Sequence, residues 1–124
     1  MYNRQGAMSF MSEENALLEI LVDASLTTQQ NLGSGALTLV YEQTLAHELM
    51  RRGLHVTRMS TANDYILMLN DMVLIQLLST EQVDTKDKKC FFERLQLVGK
   101  KSGLLINFGA PYLMCGIHRF VNDK

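Results

Sequence analysis

The sequence predicts an α/β protein: a single domain with one mixed sheet and helices against both of its faces. Three observations carry that expectation. Two apolar runs, Tyr65-Ile66-Leu67-Met68-Leu69 and Met72-Val73-Leu74-Ile75-Gln76-Leu77-Leu78, are joined at Asn70-Asp71, residues that tolerate the positive φ angles of a tight hairpin turn. Neither run alternates between apolar and polar, as a strand with one wet face does, so the hairpin belongs at the centre of a sheet covered on both sides. Helical periods stand before and after it, giving the order helix, helix, strand, strand, strand, helix, strand, strand. At 124 residues the chain is long enough for one core without disulfides or metal.

Taken in order, residues 1–12 show no clear period and read as an N-terminal arm, with the domain proper over residues 13–124. Ser12 followed by Glu13 and Glu14 has the form of a helix start, with a capping oxygen and acids in the first turn. Leu17, Ile20, Leu21, Ala24 and Leu26 then recur at helical spacing as far as Gln30. Asn31 to Gly35 is a loop. A second helix is expected from Ala36 to Arg52, with Leu37, Val40, Tyr41, Leu45 and Leu49 as its apolar stripe and Glu42, Gln43 and Glu48 off it. Gly53 is placed to end that helix in the left-handed conformation.

His55 to Met59 reads as a strand and Ser60 to Asp64 as a polar connection. After the hairpin, Ser79 to Lys89 is a loop leading into a third helix. Its buried side is assigned to Phe91, Phe92, Leu95, Leu97 and Val98. Leu104 to Phe108 is a short buried strand, Gly109-Ala110-Pro111 breaks it, and Met114 to Val121 returns as the last strand.

Composition narrows the function classes. A net charge of −1 gives no global basic field for nucleic acid. Arg51, Arg52, Lys88, Lys89, Lys100 and Lys101 are read first as solvated helix faces, with a phosphate-binding strip as the competing reading. Cys90 and Cys115 form no CxxC pair, and Cys115 with His118 supplies too few ligands for structural zinc. Both cysteines are expected to be buried free thiols of a reducing compartment. No signal peptide is visible and no apolar stretch approaches the roughly 20 residues that span a bilayer. The expectation is a cytoplasmic protein without cofactor or metal. The eight methionines are assigned chiefly to core filling, with an adaptable contact surface as the alternative.

Specific stretches carry a family resemblance. Leu32-Gly33-Ser34-Gly35, Val40-Tyr41-Glu42, Leu45-Ala46-His47-Glu48-Leu49 and Arg52-Gly53-Leu54 resemble the front half of the GxxExxY family of small bacterial proteins. Gly103-Leu104-Leu105-Ile106-Asn107-Phe108-Gly109-Ala110-Pro111 resembles that family's closing GLLLNFGAP stretch. The resemblance covers roughly residues 13 to 121 and implies a restriction-endonuclease-like fold of the PD-(D/E)xK superfamily. It also implies metal-assisted phosphodiester hydrolysis, in which carboxylates and a lysine hold hard divalent ions and steady the developing charge.

Carried over position by position, the resemblance gives an unexpected result. The glycine and tyrosine of GxxExxY fall on Gly35 and Tyr41, but its glutamate falls on Thr38. The aspartate of the first hairpin strand falls on Ile66, and the glutamate and lysine of ExK fall on Gln76 and Leu78. The glutamine and tyrosine of the following helix fall on Cys90 and Arg94. The glycines, the apolar stripe and the closing strand remain while the chemical groups are replaced. Asp64, Glu42, Asp71 and Glu81 lie near lost positions, but moving the chemistry to them requires rebuilding two or three ligands at once.

The expectation is therefore a catalytically inactive nuclease-fold protein that binds a protein partner or a second copy of itself. A nucleic-acid module that keeps the groove without cleavage is the alternative, and a residual Mg²⁺-dependent nuclease stands third. His47 and His118 read as surface or capping imidazoles. Asn107, polar within an apolar strand, reads as a backbone anchor.

Overall fold

A computed structural model describes residues 5–123 of the chain. Its elements are α1 (Gln5–Leu32), α2 (Thr38–Arg51), β1 (Val56–Arg58), β2 (Tyr65–Leu69), β3 (Val73–Leu78), α3 (Thr85–Val98), β4 (Ser102–Asn107), a 3-10 turn (Leu113–Gly116) and β5 (Ile117–Val121). The strands form one sheet in the order β1-β2-β3-β4-β5. Only β3 and β4 run parallel, joined through α3, and every other pairing is antiparallel.

The hairpin forms as the sequence predicts. Asn70 and Asp71 have φ of 52° and 54°, the paired positive angles that match a two-residue turn to the twist of its strands. Both faces of β2 and β3 are covered. On one face α1 and α2 pack Leu17, Leu21, Tyr41, Leu45 and Leu49 against Leu67, Ile75, Leu104 and Ile106. On the other, Phe91 and Leu95 of α3 meet Ile66, Met68, Leu74 and Leu105. Continuous apolar strands are the result of that double coverage.

Two glycines of the closing stretch are fixed by close approach. A Cβ at Gly103 would lie 2.8 Å from the Phe91 ring, and one at Gly109 would lie 2.7 Å from the Thr80 backbone nitrogen. Any side chain there forces α3 or the β3–α3 loop away from β4. Asn107 ties the same corner, as its sequence context predicts. Its Oδ1 accepts from the Thr80 and Gly109 amides and its Nδ2 donates to the Thr80 carbonyl.

Several expectations are corrected. Helix α1 is already running at Gln5, so Ser12 lies inside it. Gln5, Ala7, Met8 and Met11 are good helix formers, and propensity carries the helix past the capping signal. Part of the expected arm, residues 1–4, lies outside the described residues. Strand β1 is shorter than His55 to Met59, and β5 begins only at Ile117 because Leu113–Gly116 turns.

On α2 the buried face is rotated from the expected one. Leu37 and Val40 are exposed, whereas Glu42 and Glu48 are buried. Acids enter the interior there because arginines follow them, as described below. Leu97 is 88% exposed, since one helical turn brings Leu95 and Val98, not Leu97, onto the sheet. Polar groups on α1 are buried by a different device: Ser25 and Thr28 hydroxyls donate to the carbonyls of Leu21 and Ala24 within the helix, leaving only their apolar sides to pack.

Cys90 and Cys115 are free but exposed, not buried. Met50, Met59 and Met114 are also exposed, and of the methionines described only Met68 is fully buried. Core filling therefore does not account for most of the methionines whose burial is described.

Candidate functional site

The sheet has two unlike ends. At the turn end lie Asn70-Asp71, the C-terminus of α2 and the start of β4. Mutual bonds between His55 and Asn70 tie α2's exit to the hairpin turn, with the Asn70 amide donating to the His55 carbonyl and the His55 amide to Asn70 Oδ1. At the open end, β3 and β4 finish side by side, with Leu78 opposite Asn107. Loops at the ends of adjacent parallel strands are where α/β folds place their ligands.

Three of the four predicted site positions meet at this open end. Ile66 lies directly opposite Gln76 across the β2–β3 ladder, and Leu78 follows two residues on, so all three point to the α3 face. Ile66 is buried and Leu78 packs against the same apolar cluster. The fourth, Thr38, opens α2 across the sheet and is half-buried. Neither Ile66 nor Leu78 offers an ionisable or metal-binding atom.

A guanidinium fills the space over Gln76. Arg94 sits on the sheet-facing side of α3 between Phe91 and Leu95. Its Nη1 donates to Gln76 Oε1 at 2.8 Å and its Nη2 to Asp64 Oδ2 at 3.3 Å. Sequence reasoning gave Arg94 no role beyond marking a replaced family position; a charged residue within an apolar stripe was the signal in the sequence that could have found it. Its partner could not be read there, because Asp64 and Gln76 lie 30 and 18 residues away in the chain.

On the other side of Ile66 stands a second pair. Glu42 has no exposed side-chain surface, while Arg58 beside it is 51% exposed, and Arg58 Nη2 donates to Glu42 Oε1 at 2.9 Å. The Ser60 hydroxyl donates closely to the other carboxylate oxygen. Ser60 Oγ in turn accepts from the Ile66 amide at 2.9 Å. Glu42 is thus occupied in holding the β1–β2 loop and the start of β2.

The remaining acids and histidines do not join these groups. Asp71 is at the turn end, paired with Lys100 at 3.2 Å. Glu81 and His118 line a separate cleft of about 300 Å³ with Lys88, Asn107 and Cys115. Burial, and then the nearby Lys88 charge, hold His118 below the ordinary imidazole range. His47 is exposed on α2. A roomier cleft of about 550 Å³ runs along α1 past Leu18, Val22, Leu26 and Arg119, on the face of the sheet opposite Gln76.

The six basic residues do not share one groove. Arg51 and Arg52, at the turn end, both donate to Glu48, and Arg52 also reaches Asp23. Bonds from Arg51 and then Arg52 hold the Glu48 carboxyl down to about 2. Lys100 and Lys101 lie past the end of α3, also at the turn end. Lys88 and Lys89 lie near its start, at the open end. The two lysine pairs are separated by the ten residue steps of helix from Lys88 to Val98, about 15 Å at roughly 1.5 Å each.

A superfamily chemistry based on a divalent ion requires several oxygen donors at one point. Here the donor set does not fit. Among the described residues no group of three His, Cys, Asp or Glu is placed to hold a metal, and the oxygens nearest Ile66 are taken by Arg94, Arg58 and Ser60. Nor is any helix among the described residues long and apolar enough to cross a membrane.

A family model of the PD-(D/E)XK nuclease superfamily matches residues 15–120. Comparison with curated proteins and with solved structures finds no match. The matched range runs from within α1 into β5 and takes in nearly all of the helix-flanked mixed sheet, and the chain belongs to the PD-(D/E)XK nuclease superfamily.

Proposed function

We propose that this chain is a non-catalytic member of the superfamily, of GxxExxY type, whose open end serves as a protein-contact surface. In this reading Thr38, Ile66, Gln76 and Leu78 stand where the catalytic glutamate, aspartate, glutamate and lysine would be. The observation that carries it is the Ile66–Gln76 pair with Leu78 beside it, capped by Arg94. A site so built has one carboxylate, from Asp64, and one carboxamide, from Gln76, both bonded to a resident cation, and two aliphatic walls. It lacks the charge to bind divalent metal and the lysine to steady a phosphorane-like charge.

The surface around the open end supports a partner. Leu37 is 74% exposed and Tyr112 76%. Met59, Val40 and Met114 are exposed as well. They belong to one end of the molecule: Met59 follows β1 opposite Ile66, while Tyr41, stacked on Phe108 at 4.5 Å, brings the start of α2 to the end of β4. Leu37 is also the N-cap of α2 and makes no side-chain cap bond. Ser, Thr, Asp or Asn there stabilises a helix by about 1 kcal/mol. An exposed leucine in that place is a local cost without a packing return inside the chain, and a partner supplies the return.

Cleavage assays on single- and double-stranded DNA with Mg²⁺ or Mn²⁺ test the loss of catalysis. No metal-dependent cleavage is expected, and cleavage that disappears in Asp64→Ala would sink the proposal. Co-purification from the native cells tests the contact surface. Leu37→Asp and Tyr112→Asp should each release the partner; Tyr112→Asp should leave the melt unaltered, and Leu37→Asp, which gains a capping oxygen, should raise it slightly. DNA binding that weakens steeply between low and high salt would instead favour a retained groove.

A further inference from the structure

Two oxygen atoms from the β2–β3 side converge on one cation from α3. Asp64 stands just before β2, two residues from Ile66, and Gln76 faces Ile66 from β3. Arg94 reaches both through separate guanidinium nitrogens, at 3.3 Å and 2.8 Å. The three side chains are neither fully buried nor free. Arg94 and Asp64 keep 32% and 38% of their side-chain surface, and Gln76 is 9% exposed.

We propose that Arg94 is the resident cation of this cleft, and that its charge keeps divalent metal out. The inference rests on the non-catalytic reading of the same cleft. Its test measures cation binding and not cleavage, so the two can fail separately. The chemistry is simple. A carboxylate and a carboxamide oxygen are too few and too weakly charged to dehydrate Mg²⁺ or Mn²⁺. The same two oxygens satisfy a planar guanidinium, which needs no dehydration of a small ion and whose N–H groups project in a fixed fork. Because the guanidinium is tethered to α3, it stays at high effective concentration beside these oxygens, and an ion from solution must displace it to bind. It also repels any second cation that approaches the same oxygens. Asp71 and Glu81 lie elsewhere, and Glu42 is held by Arg58 and Ser60, so Arg94 is the charged group that answers Asp64 at this point.

The proposal makes a definite statement about substitutions. Gln76→Glu adds a second carboxylate beside Asp64, so that one guanidinium faces two carboxylates, but with Arg94 in place both remain bonded to it and metal still has no open site. Gln76→Glu together with Arg94→Ala leaves two carboxylates facing an empty cleft, a donor set suited to a hard divalent ion. Gln76→Glu with Arg94→Lys keeps the charge while losing the fork.

Binding of manganese chloride to each protein, read by calorimetry and by the Mn²⁺-dependent rise in melting temperature, is the experiment. The wild type, Gln76→Glu and Gln76→Glu/Arg94→Lys should show no specific binding. Gln76→Glu/Arg94→Ala should bind at least about tenfold more tightly than any of them, and Asp64→Asn in that background should abolish the gain. Arg94→Met, which preserves much of the side-chain volume, takes the place of Arg94→Ala if alanine weakens the fold. Equal Mn²⁺ binding by Gln76→Glu with and without Arg94 would overturn the proposal. So would no binding by a folded variant that lacks Arg94, or tight binding by the Arg94→Lys form.

Discussion

Two carboxylate–arginine pairs flank Ile66, and they differ in which partner is hidden. In the first, Glu42 has lost all contact with solvent and Arg58 remains 51% exposed. In the second, Asp64 and Arg94 are exposed to similar degrees, 38% and 32%. The first pair lies under α2 and, through Ser60, holds the β1–β2 loop against Ile66. The second crosses from α3 to the hairpin and closes the surface above Gln76. The difference separates support from closure. A buried carboxylate demands its partners because nothing else can solvate it, whereas a half-exposed pair is exchangeable with water.

Removing each arginine is the strongest way to break this contrast. Arg58→Ala strips the buried Glu42 of its counter-charge and should cost roughly 2–3 kcal/mol, toward the lower end for buried pairs because water can enter where Arg58 was. Glu42→Gln/Arg58→Ala should recover part of that loss, since a neutral amide replaces the stranded charge. Arg94→Ala should cost only about 0.5–1 kcal/mol, the range of a pair in contact with solvent. Denaturant melts of the variants check the ordering. Equal losses at the two arginines would erase the distinction.

Acid sharpens the contrast with a third cluster, at the turn end. Arg51 and Arg52 hold the folded Glu48 carboxyl down to about 2 from an ordinary 4.5. A lowered carboxyl stabilises the fold above the ordinary value, and that contribution is lost as pH falls from 4.5 toward 2. Stability of the wild type should therefore decline more steeply across that window than stability of Glu48→Gln, as followed by thermal melts at each pH.

The smallest effect belongs to His118. Burial and Lys88 lower its affinity for a proton from the ordinary 6.5. The unfolded chain then takes up the proton first, so this contribution is complete above pH 6.5 and declines as pH falls below it. Lys88→Met removes one of the two causes and should make that decline shallower. A pH titration of the His118 ring signals by NMR checks the direction: the folded-state midpoint should move up in Lys88→Met.

How much of this was legible beforehand follows from the range of each interaction. The Asn70-Asp71 turn, the doubly covered hairpin and the closing Gly103 to Pro111 stretch rest on local backbone preference and on runs of apolar residues. Such features are written in consecutive residues and need no fold to interpret them. Gly53 and Asn107 were assigned their roles on the same basis, and Gly53 takes a φ of 87°. The resemblance placed Ile66, Gln76 and Leu78, and the register then set all three on one face.

Other features were decided by tertiary structure alone. Glu42 and Glu48 look like solvent-facing residues on a helical wheel, and only arginines brought from elsewhere or from the next turn make their burial tolerable. Arg51 and Arg52 look like part of a basic strip until Glu48 and Asp23 take them up. Cys90, Leu97 and Met114 are apolar enough to be assigned to the core, yet the sheet offers them no facing surface. The sequence by itself determined a helix-flanked mixed sheet and a hairpin whose strands carry no ionised side chain. What occupies the space above that hairpin was decided by folding. Charge partners 18 and 30 residues apart meet at Arg94 only when α3 lies across the sheet, and no local pattern encodes a contact that depends on where another element packs.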